Sequence, residues 1–277
     1  MTRILTDSTS DLGADIQEEF GLRVIPLNVT ISGKSYKDGV DLDQDQLFAL
    51  VGQTGELPKT SAPSVGEFAE FFRQGEDCVF LGISSRLSAT IANASLAAQE
   101  FPSGSVKVVD TLNLSTGVGL LALRAAELAK NGDPAHAIES SMQQLVPKVR
   151  TAFLIDTMEY LYKGGRCTAL QAIAGSVLKI HPLIEVRSDG TLGVREKARG
   201  SREKGIQSLL DQFQADLPNL DRQCVFVTHT GEDRDAQALA DRIRQIAGPQ
   251  EVRITRAGSV ISSHCGPGTI GILYMVK

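Results

Sequence analysis

No stretch of the 277-residue chain approaches the roughly 20 consecutive apolar residues of a membrane-spanning helix, which excludes one. The start, Met-Thr-Arg-Ile-Leu-Thr-Asp, turns polar too early for a signal peptide. Cysteine is scarce: Cys78, Cys167, Cys224 and Cys265 lie far apart without CxxC spacing, so neither a disulfide framework nor a thiolate metal site is expected. Excess positive charge is missing too. A net charge of −5 argues against a general nucleic-acid binder, which carries a basic surface. There is no P-loop, no GxGxxG and no HExxH. The strand–helix turn at 82–90 begins Gly-Ile-Ser-Ser-Arg and lacks the nucleophile-elbow pattern G-x-S-x-G. The carboxylates are scattered, with no pair standing out as an acid–base couple. The expectation is a cytoplasmic, reduced protein with neither metal nor cofactor.

What is present is the composition of a soluble globular protein, 42% hydrophobic and 22% charged, at a length that favours two domains. The first half alternates short strands with helices. Arg3–Thr6 reads as a strand ending in a polar turn, 7–11, before a helix to about Phe20. Residues 23–31 read as one strand with Pro26 marking an edge or a bulge. Ser32–Ser35 reads as a turn, and a short helix covers about 43–51. The buried-type strand Cys78–Ile83 runs into a serine-rich loop and a helix to about Gln99. Residues 105–109 repeat the pattern before a helix over about 115–130, and Asp133-Pro134 opens another. Such alternation implies a parallel sheet with helices on both faces.

The second half differs. A strand-like run at 152–155 precedes the turn Lys163-Gly164-Gly165-Arg166 and an apolar helical stretch at about 168–179. A hairpin comes next, from Leu183–Val186, Ser188-Asp189-Gly190 and Leu192–Arg195. Then come helices over about 202–217 and 235–247, a buried strand at 224–228, and final strands over 252–260 and 269–276. The fold class is therefore α/β, with a parallel-sheet domain over 1–150 and a mixed-sheet domain over 151–277.

Residues 60–67, Thr-Ser-Ala-Pro-Ser-Val-Gly-Glu, combine a capping box, Ser64 with Glu67, and apolar residues at helical spacing: Val65, Phe68, Ala69 and Phe72. Thr60 and Ser61 thus stand just before a helix N-terminus, where hydroxyl donors and free N–H groups suit an anion. The loops at 6–11 and 84–90 carry hydroxyls at the same sheet edge, where ligands of open α/β sheets collect. His264 sits in a Gly/Pro-rich loop that lets backbone approach a ligand. Ser84 or Ser88 with His264 is also the starting point for a serine-dependent hydrolase or acyltransferase, though no third, orienting group is visible. A small phosphorylated ligand at the same loops is a further reading. The run 195–204, with five cations and two carboxylates, reads as a solvated face, or as a patch for an acidic protein or a lipid surface.

In this order and spacing the segments Thr6–Asp11, Thr60–Ser64, Ile83–Thr90, Gly164–Arg166 and His264–Gly268 resemble the DegV family, whose characterised members include the FakB fatty-acid-binding proteins. The resemblance spans nearly the whole chain. It implies two α/β domains with a fatty acid in an apolar tunnel between them. It also implies a carboxylate held by Thr60 and Ser61, by Ser84, Ser85 or Ser88, and by His264. Arg166 is implied to lie near the ligand end and to help present the acyl group to a FakA-type, ATP-dependent kinase. That partner would form an acyl phosphate for phospholipid synthesis, so the chain itself would be no enzyme. Many members of the family it resembles have Gly where this chain has Arg86 and Ala89, so Arg86 either adds a cation near the site or points to solvent.

Overall fold

The structure, a computed structural model, describes residues 2–73, 77–167 and 180–277. The helical stretch expected at 168–179 lies outside the described residues. The chain begins with β1 (Arg3–Asp7), α1 (Ala14–Phe20) and β2 (Arg23–Ile25). Instead of one strand over 23–31 there are two, because β3 (Asn28–Ile31) starts beyond Pro26 and belongs to another sheet. Proline cannot donate to a ladder, so the chain changes partners there. The expected turn at 32–35 is shorter, since β4 (Lys34–Lys37) pairs back on β3.

After α2 (Gln44–Thr54), Thr60 and Ser61 form part of a strand, not a loop: β5 (Lys59–Ser61) adds to β3 in a three-stranded sheet. α3 (Val65–Phe72) starts at the anticipated capping box, with both reciprocal hydrogen bonds between Ser64 and Glu67 present. Next come β6 (Cys78–Gly82), α4 (Thr90–Ala98), β7 (Val106–Asp110), α5 (Thr116–Lys130) and α6 (Ala135–Leu145). The first sheet is wholly parallel, in the order β2-β1-β6-β7. Every residue of β6 is buried, as a central parallel strand covered on both faces requires.

β8 (Val149–Leu154) and α7 (Glu159–Lys163) precede the hairpin of β9 (Ile180–Val186) and β10 (Leu192–Arg199). The chain continues through α8 (Arg202–Ala215), β11 (Leu220–His229), α9 (Asp233–Ala247) and β12 (Glu251–Arg256). The strand expected to reach residue 260 ends at Arg256. Beyond it the chain forms α10 (Ser259–Cys265), so His264 stands on a short helix and not in a loop. Its local signal is hidden because α10 has no side-chain cap of its own. β13 (Ile270–Val276) completes a mixed six-stranded sheet, β10-β9-β8-β13-β11-β12, in which only the β11–β12 pair is parallel.

Helix α5 joins the two large sheets. Its Leu121, Ala122 and Ala125 share a core with Val79 and Leu81 of β6 and with Phe226, Leu273 and Met275 of the mixed sheet. A small residue lets α5 pack closely on the segment after β1: a methyl group added at Gly119 would stand 2.8 Å from Leu12. On the far face of the mixed sheet, Leu209 and Phe213 of α8 and Leu239 and Ile243 of α9 build a second core. A third core, with Ile83, Leu114, Ile184, Leu192 and Ile261, fills the space where the loops of the parallel sheet meet the mixed sheet. The candidate site lies against it.

Candidate functional site

A cavity of about 260 Å³ opens between β5, the loop after β6, the turn after α7, β10 and α10. Its lining residues sort by depth. Ser61 and Ala89 are exposed and mark the mouth, while Thr60, Ser88, Arg166 and His264 are half-buried beside them. Deeper in, Leu27, Ile83, Leu114, Leu192, Val260 and Ile261 are buried and apolar. A smaller cavity of about 20 Å³ shares Leu114, Ile261 and Cys265 with the first and continues it toward β8 and β11. The hollow is therefore polar at its mouth and apolar within.

The mouth is built around one pair. Thr60 Oγ1 and His264 Nε2 stand 2.8 Å apart, although 204 positions separate them in sequence. Gly164 makes room for the ring: a methyl group there would lie 2.5 Å from His264 Nδ1. Gly165, at φ +70, then turns the chain so that Arg166 faces the cavity. The Arg166 guanidinium donates to the carbonyls of Gly164, at 2.7 Å, and Leu87, at 3.3 Å. Burial, helped by this guanidinium, pushes the His264 pKa down to about 4, so the imidazole is neutral near pH 7. A neutral imidazole, hydroxyls and one cation can bind a carboxylate without reacting with it.

The three serines of the loop after β6 part company. Ser88 lines the cavity, with its hydroxyl 2.8 Å from Thr90 Oγ1. Ser84 is buried outside it and donates to the Gly190 carbonyl at 2.9 Å, which pins the loop to the tip of the β9–β10 hairpin. Ser85 is exposed, and its N–H donates to Asp110. Neither Ser84 nor Ser85 is among the lining residues. Arg86 is exposed and helps to lower the pKa of Asp189 at the hairpin tip, after the hydrogen bonds Asp189 accepts from Thr191. The hydroxyls of the 6–11 loop serve the fold: Thr6 donates to the Leu81 carbonyl, and Ser8 accepts from the Leu27 N–H.

Two features escape a reading of the sequence. The apolar wall depends on single residues from many elements, and no motif marks them. The scattered carboxylates are also partly gathered, since Asp7, Asp11 and Asp38 are buried within electrostatic reach of one another. Burial is the main cause that raises all three pKa values, to about 6 for Asp7. Among the described residues, no group of three His, Cys, Asp or Glu side chains is placed to hold a metal ion. None of the described helices is long and apolar enough to cross a membrane. In the basic run, Arg195 pairs with Glu185, and Arg202 with Asp235 and Asp156.

A family model described as "Uncharacterised protein, DegV family" matches residues 1–277. A DegV domain-containing protein of Deinococcus radiodurans is 34% identical, over 97% of this chain and 96% of its own length. A Thermus thermophilus structure described as fatty acid binding of a DegV family protein is 34% identical, with a TM-score of 0.92 over 100% of this chain and 99% of that one. The fold alone is shared with the Streptococcus pneumoniae Fatty Acid Kinase B3 protein loaded with linoleic acid, at 22% identity and a TM-score of 0.88 over 100% of both chains.

Proposed function

The chain belongs to the DegV family, and from that membership we propose that it binds one long-chain fatty acid and presents the carboxylate to a separate ATP-dependent kinase. The observation that carries this reading is the grading of the cavity from a polar mouth at Thr60, Ser61, Ser88 and His264 to an apolar interior at Leu114 and Ile261. Such a hollow suits an amphiphile entering tail first. Burial of the tail contributes about 0.8 kcal/mol per CH₂, so ten methylenes supply roughly 8 kcal/mol. A hydrogen bond to the charged head adds about 1.5–3 kcal/mol. The tail therefore dominates affinity, and the head sets orientation. Thr60, Ser61, Ser88 and His264 are the proposed carboxylate ligands.

A head group held at an open mouth can be reached by a second protein, and Arg166 lies where it can steady charge during phosphoryl transfer. The kinase partner, of the FakA type, comes from the family resemblance. No group in this cavity need do chemistry, so the chain acts as a carrier and not as an enzyme. The hydrolase reading has less support: the His264 Nε2 position is taken by Thr60 and the Ser88 hydroxyl by Thr90. Labelling by a fluorophosphonate probe would revive it.

Native mass spectrometry of gently purified protein tests the proposal. A long-chain fatty acid is expected on the chain as isolated, or after incubation with palmitate or oleate. A chain that carries no fatty acid and takes up neither of those two would sink the reading.

A further inference from the structure

The short helix that carries His264 is held at its other end by residues from the first half of the chain. α10 spans seven residues and has no side-chain cap of its own. Its opening N–H groups would be left without partners in a buried setting, which is costly. Two carboxylates from outside the helix meet them. Asp11 Oδ1 accepts from the Gly258 N–H at 2.8 Å, and Asp38 Oδ1 accepts from the Ser259 N–H and hydroxyl, each at 2.7 Å. Asp11 is steadied in turn by the Ser115 hydroxyl. The approach is close enough to require glycine at 258, where a methyl group would stand 2.8 Å from Asp38 Oδ1 and 3.3 Å from Asp11 Oδ1. Asp11 and Asp38 are 6% and 3% exposed, so water does not compete for these bonds.

We infer that Asp38 and Asp11 are positioning residues for the carboxylate site, capping α10 from outside and thereby fixing where His264 stands over Thr60. The inference rests on the reading of the cavity as a fatty-acid site. A helix of this length is roughly 10 Å long and internally stiff, so a shift at its start is carried to its end. Negative charge at a helix N-terminus is also stabilised by the positive end of the helix dipole. Asp7 faces the same region and adds to the mutual repulsion. After burial, the charge of Asp38 is a further cause that raises the pKa of both Asp7 and Asp11. Two buried carboxylates held together at one helix start are costly unless each finds donors, and here those donors are the Gly258 and Ser259 N–H groups with the Ser115 and Ser259 hydroxyls.

The test compares palmitate with hexadecanol, which has the same tail and no charge, in the full-length chain. A clamp that positions the head-group site affects the acid and spares the alcohol; general damage affects both. Asp38→Ala is expected to weaken palmitate binding about tenfold, equivalent to about 1.4 kcal/mol, and to leave hexadecanol within about twofold. Asp38→Asn keeps one acceptor for Ser259 and is expected to restore most of the preference for the acid. Equal losses for both ligands, or no loss for either, would overturn the inference. His264→Ala is the reference. If it leaves the palmitate-to-hexadecanol ratio unchanged, the head-group reading itself fails, which is distinct from a ratio that falls in His264→Ala but not in Asp38→Ala. Should Asp38→Ala not fold, Ser259→Ala removes one of the two bonds to the same oxygen, and an unchanged ratio there overturns the inference equally.

Discussion

His264 is neutral near pH 7 because burial, with the Arg166 guanidinium beside it, holds its pKa at about 4 against an ordinary 6.5. A carboxylate docked beside the imidazole favours the imidazolium and raises that value again. Binding of an anionic ligand is therefore expected to draw in protons between the free value of about 4 and the pKa reached in the complex. Calorimetry near pH 5.5 in two buffers of different ionisation enthalpy measures this, and the uptake should vanish in His264→Ala; equal heats in the two buffers for the unaltered chain contradict it. The Thr60 hydroxyl makes a different contribution. Thr60→Val keeps the shape and removes the partner of His264, and the loss of one charge-assisted bond should weaken palmitate about tenfold or somewhat more. Hexadecanol affinity is the control for lost shape. Thr60 was legible in the sequence as a hydroxyl near a sheet edge, and His264 as an imidazole in a Gly/Pro-rich run. Their contact was not, because it joins positions 204 apart.

Among elements, the β9–β10 hairpin shows how a turn residue can serve a distant loop. Gly190 has φ +81, and a side chain there would collide with Ser84 Oγ and stand 3.0 Å from Leu112. Gly190→Ala is expected to cost about 1–2 kcal/mol for the left-handed backbone, plus the displacement of Ser84. Urea unfolding measures the loss; an unchanged midpoint would mean the hairpin tip is not anchored to the loop. By contrast, the capping box of Ser64 and Glu67 could be foreseen from sequence because both partners lie within one turn. α10 could not be foreseen. Its caps come from Asp11 and Asp38, more than 200 residues upstream, while Gly258 falls within the strand expected over 252–260 and the Gly266-Pro267-Gly268 run reads as a loop.

For the whole molecule, two buried groups act in opposite directions on stability. Asp7 rises from 3.8 to about 6 on folding, so the folded chain binds its proton more tightly; this cost is present above pH 6 and relieved as the pH falls toward 3.8. His264 is held down from 6.5 to about 4, so its cost is absent above pH 6.5 and grows as the pH falls toward 4. The windows overlap, and the two effects partly cancel in the intact protein. Asp7→Asn separates them. As the pH is raised from about 4 to 7, the unaltered chain should lose on the order of 3 kcal/mol relative to this variant. Chemical denaturation across that range gives the difference, and a gap between the two that stays constant with pH would refute it.

The sequence by itself determined the fold class, because strand and helix periodicity, proline and glycine boundaries and a reciprocal cap are written within windows of about ten residues. It also determined the set of polar residues from which a site could be made, through the segments that resemble the DegV family. Tertiary structure decided which members of that set face one cavity. It turned Ser88 toward the hollow, gave the Ser84 hydroxyl to the Gly190 carbonyl, and put His264 on a helix over Thr60. It also gathered Asp7, Asp11 and Asp38 at depth and graded the hollow from polar to apolar. The reason is physical: burial and cross-chain hydrogen bonds depend on what packs from far away in sequence, and local propensity holds no record of that.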